Sequence, residues 1–295
     1  MIQKSKFTFI DLFAGIGGFH IAMSNIGGKC VYASEWDKAA RQTYLHNFYS
    51  SNKDLFDINN FVGDISKIQP ETIPDFDILC GGFPCQPFSH AGFKKGFLDP
   101  RGTLFFNVAE IIRVKQPKAF FLENVRHLLK HDEGNTFKTI EHTLRDLGYS
   151  FYWKVIKGTD FGMPQHRPRV YIVGFKDPSI KFDYPPSIPL QLTMSDILGG
   201  PCTRDVGFTL RVGGRGSSIN DRRNWDSYIV DGKIIRLTPD KGKLMQGFPD
   251  SYYFPVTETQ AMKQLGNSVV IPAVEAVAKQ IIFSLENVEM IRNVA

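Results

Sequence analysis

The architecture of this chain follows from FTFIDLFAGIGGF, residues 7–19. Its first six residues, Phe7–Leu12, form an apolar run that predicts a buried strand. The glycines at Gly15–Gly18 let the backbone turn tightly, and a helix is expected from about Phe19. A strand, a glycine turn and a helix in this order begin a βαβ unit, which leaves the helix N-terminus open to a ligand.

The alternation of strand and helix signals continues toward the middle of the chain. The predicted strands are Cys30–Ser34, Asp77–Gly81, Ala119–Leu122 and Val170–Phe175, and the predicted helices are Asp37–Asn47, Thr103–Lys115 and Asn135–Leu147. This rhythm predicts an α/β fold with a doubly wound, mostly parallel sheet that binds ligands at the carboxyl ends of its strands.

The rhythm stops after about Lys176. Residues 176–261 are rich in Pro, Gly and short β-like pieces, and they are interpreted as a smaller, irregular β-rich domain. Residues 1–175 plus 262–295 then form the main domain. Between Gly199 and Met245 there are nine Lys/Arg and five Asp, so this segment carries +4 of the net charge of +5. Because bare glycine backbone alternates with arginine there, contact with DNA is favoured over a merely solvated face.

Composition restricts the remaining classes of protein. The chain has 295 residues, enough for one large α/β domain or two unequal ones, and its net positive charge suggests a polyanionic partner. Its four cysteines form no C-x-x-C pair, which disfavours a structural metal and favours a reduced, cytoplasmic setting. Asp11 inside the first apolar run argues against a signal peptide. Glu275 and Lys279 in the run 269–285 predict an amphipathic helix and no membrane span.

A cofactor site is predicted around the glycine turn. Glu35 lies twenty residues beyond Gly15 at the end of the second strand, where a carboxylate can accept hydrogen bonds from ribose hydroxyls. Trp36 can stack on an adenine, and Asp64-Ile65 can hold its edge. No P-loop is present, and the glycines lack the full G-x-G-x-x-G spacing. Adenosine with a small charged tail, such as S-adenosylmethionine, is therefore favoured, with NAD as the alternative.

A candidate nucleophile stands in Gly82-Phe83-Pro84-Cys85-Gln86-Pro87-Phe88-Ser89, directly after an apolar strand. A thiolate is a soft nucleophile that can add to carbon. A lone cysteine is more often an inert core residue. The neighbours of Cys85 reverse that preference and predict a reactive side chain.

Taken together, nine ordered blocks resemble the bacterial DNA (cytosine-5-)-methyltransferases of restriction–modification systems over nearly the whole length. They are Phe13-Ala14-Gly15-Ile16-Gly17-Gly18, Glu35-Trp36, Gly63-Asp64, Pro84-Cys85-Gln86, Arg101-Gly102-Thr103-Leu104-Phe105-Phe106, Glu123-Asn124-Val125, Gln165-His166-Arg167-Pro168-Arg169, Arg236-Leu237-Thr238-Pro239 with Gln246-Gly247-Phe248-Pro249, and Gly266-Asn267-Ser268-Val269. One block can arise by chance, whereas nine in family order make the resemblance specific.

The resemblance implies the S-adenosylmethionine-dependent methyltransferase fold and a catalytic set. Cys85 would add to C6 of a cytosine flipped out of a short specific duplex site, so that C5 can attack the cofactor methyl group. Glu123 would hold or protonate the ring N3, Arg167 would contact the cytosine, and Arg169 would support that site. Alone, Glu123 is better explained as a residue that caps or forms a salt bridge at a strand end, and the two arginines are equally well explained as surface pairs on an edge strand.

The resemblance also implies binding residues. Those for S-adenosylmethionine are Phe13, Ala14, Gly15, Ile16, Gly17, Gly18, Glu35, Trp36, Asp64, Ile65, Pro84, Leu104 and Asn267. Those for DNA are Ser89, Lys94, Arg101, Thr209, Arg211, Arg215, Arg222 and Arg223. Residues 90–101 would form a loop that closes over DNA, and one or two of the arginines after Thr209 would read guanine O6 and N7.

The expected partners are double-stranded DNA and a cognate restriction endonuclease in the same cell, without a stable complex, and the protein is expected to be a cytoplasmic monomer. Two alternatives stay open. A tRNA cytosine-5 methyltransferase is disfavoured by Gly82-Phe83 before Pro84-Cys85 and by the basic insert at 199–245. A catalytically inactive DNA-binding relative is disfavoured by intact Cys85, Glu123 and Asn267.

Overall fold

A seven-stranded sheet forms the centre of the computed structural model, which describes residues 5–57, 60–84 and 104–294. Its strands are β1 (Phe7–Leu12), β2 (Gly28–Ser34), β3 (Phe61–Val62), β4 (Ile78–Gly81), β5 (Ala119–Val125), β6 (Tyr152–Ile156) and β7 (Arg169–Phe175). Their spatial order is β3-β2-β1-β4-β5-β7-β6. The strands from β3 to β5 are parallel, and β7 is antiparallel to both neighbours. The predicted mostly parallel α/β sheet is confirmed.

Helices cover both faces of the sheet, as a doubly wound fold requires. They are α1 (Gly18–Asn25), α2 (Lys38–Phe48), α3 (Asp54–Asp57), α4 (Leu104–Lys115), α5 (Asn135–Asp146), α6 (Met194–Leu198), α7 (Pro239–Leu244), α8 (Glu258–Asn267) and α9 (Ile271–Val294). Successive residues of β1 pack into hydrophobic clusters on opposite faces of the sheet. Phe9 packs on the side of α1, and Ile10 packs on the side of α4. A strand covered on both faces is apolar almost throughout, which explains why β1 is apolar except for Thr8 and Asp11.

The run Glu258–Val288 is long and apolar enough to cross a membrane by length and composition, and 56% of its most apolar window is buried inside the fold. It consists of two helices, α8 and α9, with a break at Ser268–Val270. Leu265 and Val274, one from each helix, are fully buried in the core beside α1. The run thus packs as a core element against the sheet.

The segment between residues 176 and 261, which includes the basic segment 199–245, contains α6, α7 and a two-stranded hairpin of β8 (Ser227–Val230) and β9 (Lys233–Arg236). Its buried side chains, among them Trp225 and Tyr228, belong to the same hydrophobic cluster as Phe9 of β1. The segment is therefore anchored on the core of the main sheet. Its bounds as a separate domain stay a prediction.

Candidate active site and cofactor pocket

A buried ion pair lies at the carboxyl end of β5. Nε of Arg169 is 2.9 Å from Oε1 of Glu123, and both side chains are little more than one-tenth exposed. The register of β5 with β7 explains the contact. Glu123 lies opposite Tyr171, and Arg169 lies two residues before Tyr171, on the same face of the sheet.

Burial raises the pKa of the Glu123 carboxyl, and the positive charges of Arg169 and Arg167 oppose that effect only in part. A carboxyl group with a raised pKa can retain a proton closer to neutral pH than an exposed one. The raised pKa of Glu123 is compatible with the predicted transfer of a proton to a bound group.

Arg167 lies in a different position from Arg169. Its Nη1 donates a hydrogen bond to the Leu210 carbonyl at 3.1 Å, and its Nη2 donates to the Gly266 carbonyl at 2.9 Å. The side chain is only 3% exposed. Burial, together with the nearby charge of Arg169, lowers the pKa of Arg167 to about 9. Arg167 thus joins two distant segments, whereas Arg169 is the arginine that contacts Glu123.

The chain leading to Cys85 passes beside this pair. A Cβ added to Gly82 would lie 3.4 Å from Oε2 of Glu123. Nδ2 of Asn124 donates to the Phe83 carbonyl at 2.8 Å, and this amide is 2% exposed. Asn124 therefore ties the end of β5 to the segment after β4. Cys85 itself lies outside the described residues, as do Ser89, Lys94 and Arg101.

Sequence reasoning placed Asn124 in a family block but did not assign it a role. The signal that could have identified it is a polar residue directly after a predicted central strand, where a side-chain amide commonly satisfies backbone groups of a neighbouring loop.

The glycine turn after β1 requires its glycines for two separate reasons. Gly17 adopts φ 80°, and a Cβ there would lie 2.3 Å from the Phe48 ring. Gly18 has no unusual φ, but a Cβ there would lie 2.5 Å from Cγ2 of Val269. The turn therefore packs directly against the chain after Asn267, and it brings two predicted parts of the cofactor site together.

Glu35 lies at the end of β2 and faces this turn. Its Oε2 accepts a hydrogen bond from the Gly15 N–H at 2.8 Å, and its Oε1 accepts one from the Asp37 N–H at 2.8 Å. Burial raises the pKa of Glu35, although both hydrogen bonds oppose the shift. A carboxylate has about four lone-pair positions, so it retains capacity for ligand hydroxyls.

Sequence reasoning missed Arg41, which supports the same corner of the pocket. Its Nη1 donates to the Glu35 carbonyl at 3.0 Å and its Nη2 donates to the Phe61 carbonyl at 3.1 Å. The guanidinium also lies 4.2 Å from the centre of the Phe61 ring. From sequence, Arg41 looks like an ordinary surface residue of α2, and only tertiary contact shows that it joins β2 to β3.

The other predicted cofactor residues are divided between surface and core. Trp36 is 80% exposed, so it is not a core residue and its ring is open to a ligand. Asp64 is partly occupied, since it accepts hydrogen bonds from the Ser66 N–H at 3.0 Å and the Ser66 hydroxyl at 2.7 Å. Those buried in the core are Ala14, Ile16 and Ile65; those exposed are Pro84 and Asn267; Phe13 and Leu104 are half-buried.

These residues are compatible with S-adenosylmethionine. The turn from Phe13 to Gly17 has three left-handed residues and leads into the N-terminus of α1, which suits the carboxylate of an amino acid tail. Glu35 suits ribose hydroxyls, and the exposed ring of Trp36 suits an adenine.

The predicted DNA-contact residues of the basic segment have different surroundings. Thr209 donates its hydroxyl to the His166 carbonyl. Arg215 is paired with Asp226 and Glu258, and Arg223 is paired with Asp221. Arg211 and Arg222 are exposed and form no side-chain hydrogen bond or ion pair within the described residues. The structure therefore separates arginines engaged within the protein from arginines facing solvent.

Comparison with known proteins agrees with this arrangement. The sequence profile of the family described as C-5 cytosine-specific DNA methylase matches residues 7–207 and 209–283. The type II methyltransferase M.HpaII of Haemophilus parainfluenzae is 44% identical over 96% of this chain and 91% of its own length. The type II methyltransferase M.HhaI of Haemophilus parahaemolyticus is 38% identical, with 96% of each chain covered.

Solved structures share the fold. A DNMT2 structure from Spodoptera frugiperda has a TM-score of 0.70 at 18% identity, covering 94% of this chain and 99% of that chain. A putative DNA modification methyltransferase encoded within an Escherichia coli prophage has a TM-score of 0.70 at 20% identity, covering 95% and 99%. At these identities the likeness concerns the fold alone.

The alignment with M.HpaII contains gaps on the side of this chain. It occupies 336 positions, although the chain has 295 residues, so at least 41 positions of the alignment have no counterpart here. The family profile is itself interrupted at residue 208, at the start of the basic segment.

Proposed function

This chain belongs to the C-5 cytosine-specific DNA methylase family and is a DNA (cytosine-5-)-methyltransferase, and we propose that it methylates a cytosine flipped out of a short, specific duplex site through a covalent bond between Cys85 and C6. The observation that carries the proposal is the buried Glu123–Arg169 pair beside the chain that leads into Cys85. Family membership implies S-adenosylmethionine as the methyl donor. When bound, this cofactor supplies an electrophilic methyl group.

The chemistry explains why a nucleophile is needed. C5 of cytosine is too weakly nucleophilic to take a methyl group directly, so a covalent step divides one difficult reaction into two easier ones. The Cys85 thiolate adds to C6, and the electron pair of the C5–C6 double bond becomes available at C5. After methylation, loss of the C5 proton expels the thiolate and restores the ring. The target carbon is inaccessible in a stacked duplex, so the base is flipped out first.

Glu123 assists the addition by holding a proton at N3 of the cytosine. Its raised pKa favours the protonated carboxyl over the ionised form, as this role requires. We assign the cytosine-side supporting role to Arg169, because it pairs with Glu123 directly. Arg167, whose two terminal nitrogens bind backbone carbonyls, holds the surrounding segments in place. The supporting role of Arg169 is the one expected from sequence, whereas the cytosine contact expected of Arg167 stays a prediction.

The cofactor site is proposed to use backbone and side chains in separate roles. The N-terminus of α1 binds the carboxylate of the cofactor, Glu35 binds its ribose, and Trp36 stacks on its adenine. Asn267 lies at the end of α8, next to the residues that pack on Gly18.

We further propose double-stranded DNA as the substrate and a restriction endonuclease of the same cell as the functional counterpart, without a stable complex. The support is that M.HpaII and M.HhaI are type II methyltransferases. A monomeric, cytoplasmic protein without a membrane partner is consistent with these assignments.

The decisive experiment begins with bisulfite sequencing of DNA from a host that expresses the protein, which identifies the methylated site. Duplexes carrying 5-fluorocytosine at that position should then form a denaturation-resistant adduct with the enzyme and S-adenosylmethionine. Mass spectrometry should locate the bond on Cys85.

Cys85→Ser should form no adduct, whereas Cys202→Ser should react normally because Cys202 lies in the basic segment away from Glu123. An adduct that persists in Cys85→Ser, or a host genome without new 5-methylcytosine, would refute the proposal. Incorporation of the methyl group into tRNA and not into DNA would establish the tRNA alternative.

A further inference from the structure

The segment from Arg211 to Arg223, here called the arginine loop, combines positive charge with a flexible backbone. It contains Gly213-Gly214-Arg215-Gly216, and Gly214 and Gly216 adopt φ of 82° and 87°. Glycine backbone loses more conformational entropy on ordering than any other. A defined shape for this loop therefore requires contacts from outside it.

Those contacts come from Trp225 and Asp226, just after the loop. Nε1 of Trp225 donates to the Gly213 carbonyl at 2.9 Å. Asp226 is fully buried, and its Oδ2 accepts from the Gly216 N–H at 3.2 Å. One indole and one carboxylate thus fix the two ends of the glycine run.

The Asp226 carboxylate also lies within ion-pair distance of two guanidinium groups. Its Oδ2 lies 3.8 Å from Nε of Arg215 and 3.5 Å from Nε of Arg236. Arg215 makes two further contacts, an ion pair with Glu258 and a hydrogen bond from Nη2 to the Leu237 carbonyl at 3.3 Å. A guanidinium that reads guanine presents two free N–H groups side by side. The guanidinium of Arg215 is instead occupied by contacts within the protein.

The side chains of Arg211 and Arg222, unlike that of Arg215, face solvent. Both are exposed, and neither side chain has a partner within the described parts of the chain. The backbone of Arg211 packs on Gly266. A Cβ added to Gly266 would lie 2.5 Å from the carbonyl carbon of Arg211. Because Gly266 precedes Asn267 and accepts a hydrogen bond from Arg167, Arg211 lies on the side of the loop nearest to the active site.

We propose that Asp226 is the positioning residue of the arginine loop, that Arg215 is its internal tie, and that Arg211 and Arg222 are the arginines of this loop that contact duplex DNA. This assignment rests on the proposed function, since it concerns how the enzyme selects its site. A loop held in shape before binding loses less entropy on binding, so its contacts contribute more fully to affinity and discrimination.

The test compares Asp226→Asn with Asp205→Asn in the full-length enzyme. Asp205 is exposed and its side chain has no partner within the described residues, so the control makes the same charge change in the same segment. The substrates are the duplex identified by bisulfite sequencing and a panel in which each base pair is changed singly. The readouts are KM for DNA, kcat, and the affinity for S-adenosylmethionine.

Asp226→Asn should raise KM for the cognate duplex by roughly tenfold, reduce kcat far less, and weaken discrimination at every position of the site. Cofactor affinity should stay unchanged, which separates lost positioning from general damage. Asp205→Asn should match the wild type. Equal KM and equal discrimination in the two variants would overturn the proposal.

Substitutions of the arginines keep the proposal testable if Asp226→Asn does not fold. Arg215→Met should weaken discrimination across the whole site. Arg211→Met and Arg222→Met should each lose selectivity at a single base pair, or flatten the dependence of log K on log salt concentration by about 0.9. A single-position loss in Arg215→Met would identify Arg215 as a reader and refute its role as a tie. A wild-type enzyme that methylates no duplex would instead overturn the proposed function, and this inference with it.

Discussion

Replacing Gly18, itself a predicted cofactor residue, by alanine should weaken S-adenosylmethionine binding because the added methyl group displaces the glycine turn. The added Cβ would lie 2.5 Å from Cγ2 of Val269 and 3.1 Å from Oγ of Ser268. Real Cβ atoms do not approach carbon this closely, so either the glycine turn or the chain at Val269 has to move. Both neighbour predicted cofactor residues, Gly17 on one side and Asn267 on the other.

The size of the effect follows from the kind of clash. Adding a methyl group to a well-packed core typically costs about 1–3 kcal/mol. Part of this cost appears as a lower free energy of unfolding, and the rest appears as weaker binding if the turn moves to relieve the clash. If the whole of this cost appeared as weaker cofactor binding, Kd would rise by about 5- to 150-fold. We expect the two losses together to reach about 1–3 kcal/mol.

The assay combines calorimetric titration with S-adenosylmethionine and urea unfolding of the same variants. Gly213→Ala is the matched control, because Gly213 has a common φ and a Cβ there meets nothing within 4 Å. Val269→Ala removes the clashing methyl groups, so the double variant Gly18→Ala/Val269→Ala should recover part of the loss. The reasoning is refuted if Gly18→Ala binds and unfolds like Gly213→Ala, or if the two single effects add to within about 0.5 kcal/mol.

Four further outcomes can be checked. Asn124→Ala leaves the buried Phe83 carbonyl without its partner, which should cost about 1–3 kcal/mol of stability by urea unfolding and slow single-turnover methylation more than it weakens cofactor binding. The wild-type rate should fall as pH rises through the raised pKa of Glu123, because the protonated carboxyl is then lost, and Glu123→Gln should lack this limb of its pH–rate profile. Arg169→Met leaves the Glu123 carboxylate buried and unpaired, so denaturant unfolding should show a loss of about 3–5 kcal/mol. Burial raises the pKa of Asp11 well above its ordinary value, so the folded state keeps a proton that the unfolded chain releases above about pH 4. Wild-type stability should therefore decline as the pH rises above that value, and Asp11→Asn should flatten that decline in unfolding experiments.

Hydrophobic periodicity was sufficient for most of the sheet, because buried parallel strands such as β1 and β4 are short apolar runs. It missed β6, whose sequence Tyr152–Ile156 includes Lys154 and the half-exposed Trp153. An edge strand has one covered face at most, so its composition resembles a loop. It also ended β5 at Leu122, because the polar pair after Leu122 looks like a turn although Glu123 and Asn124 continue the strand.

The site was predictable where chain spacing determines geometry. The distance of twenty residues from Gly15 to Glu35 spans one βαβ step, and the two groups are hydrogen-bonded in the structure. The roles of Arg167 and Arg169 were not predictable in this way. Which of them meets Glu123 depends on the register of β7 against β5, and that register is set by packing between residues far apart in sequence.

The hydrogen bonds of Arg167 have a consequence for the order of substrate binding. One guanidinium spans the carbonyl that precedes Arg211 and the carbonyl that precedes Asn267, positions 43 and 99 residues away along the chain. The start of the arginine loop and the end of α8, beside the predicted cofactor residue Asn267, are thus joined by a single side chain. Thermodynamic linkage then requires reciprocity. If bound cofactor raises the affinity for the duplex, bound duplex raises the affinity for the cofactor by the same factor.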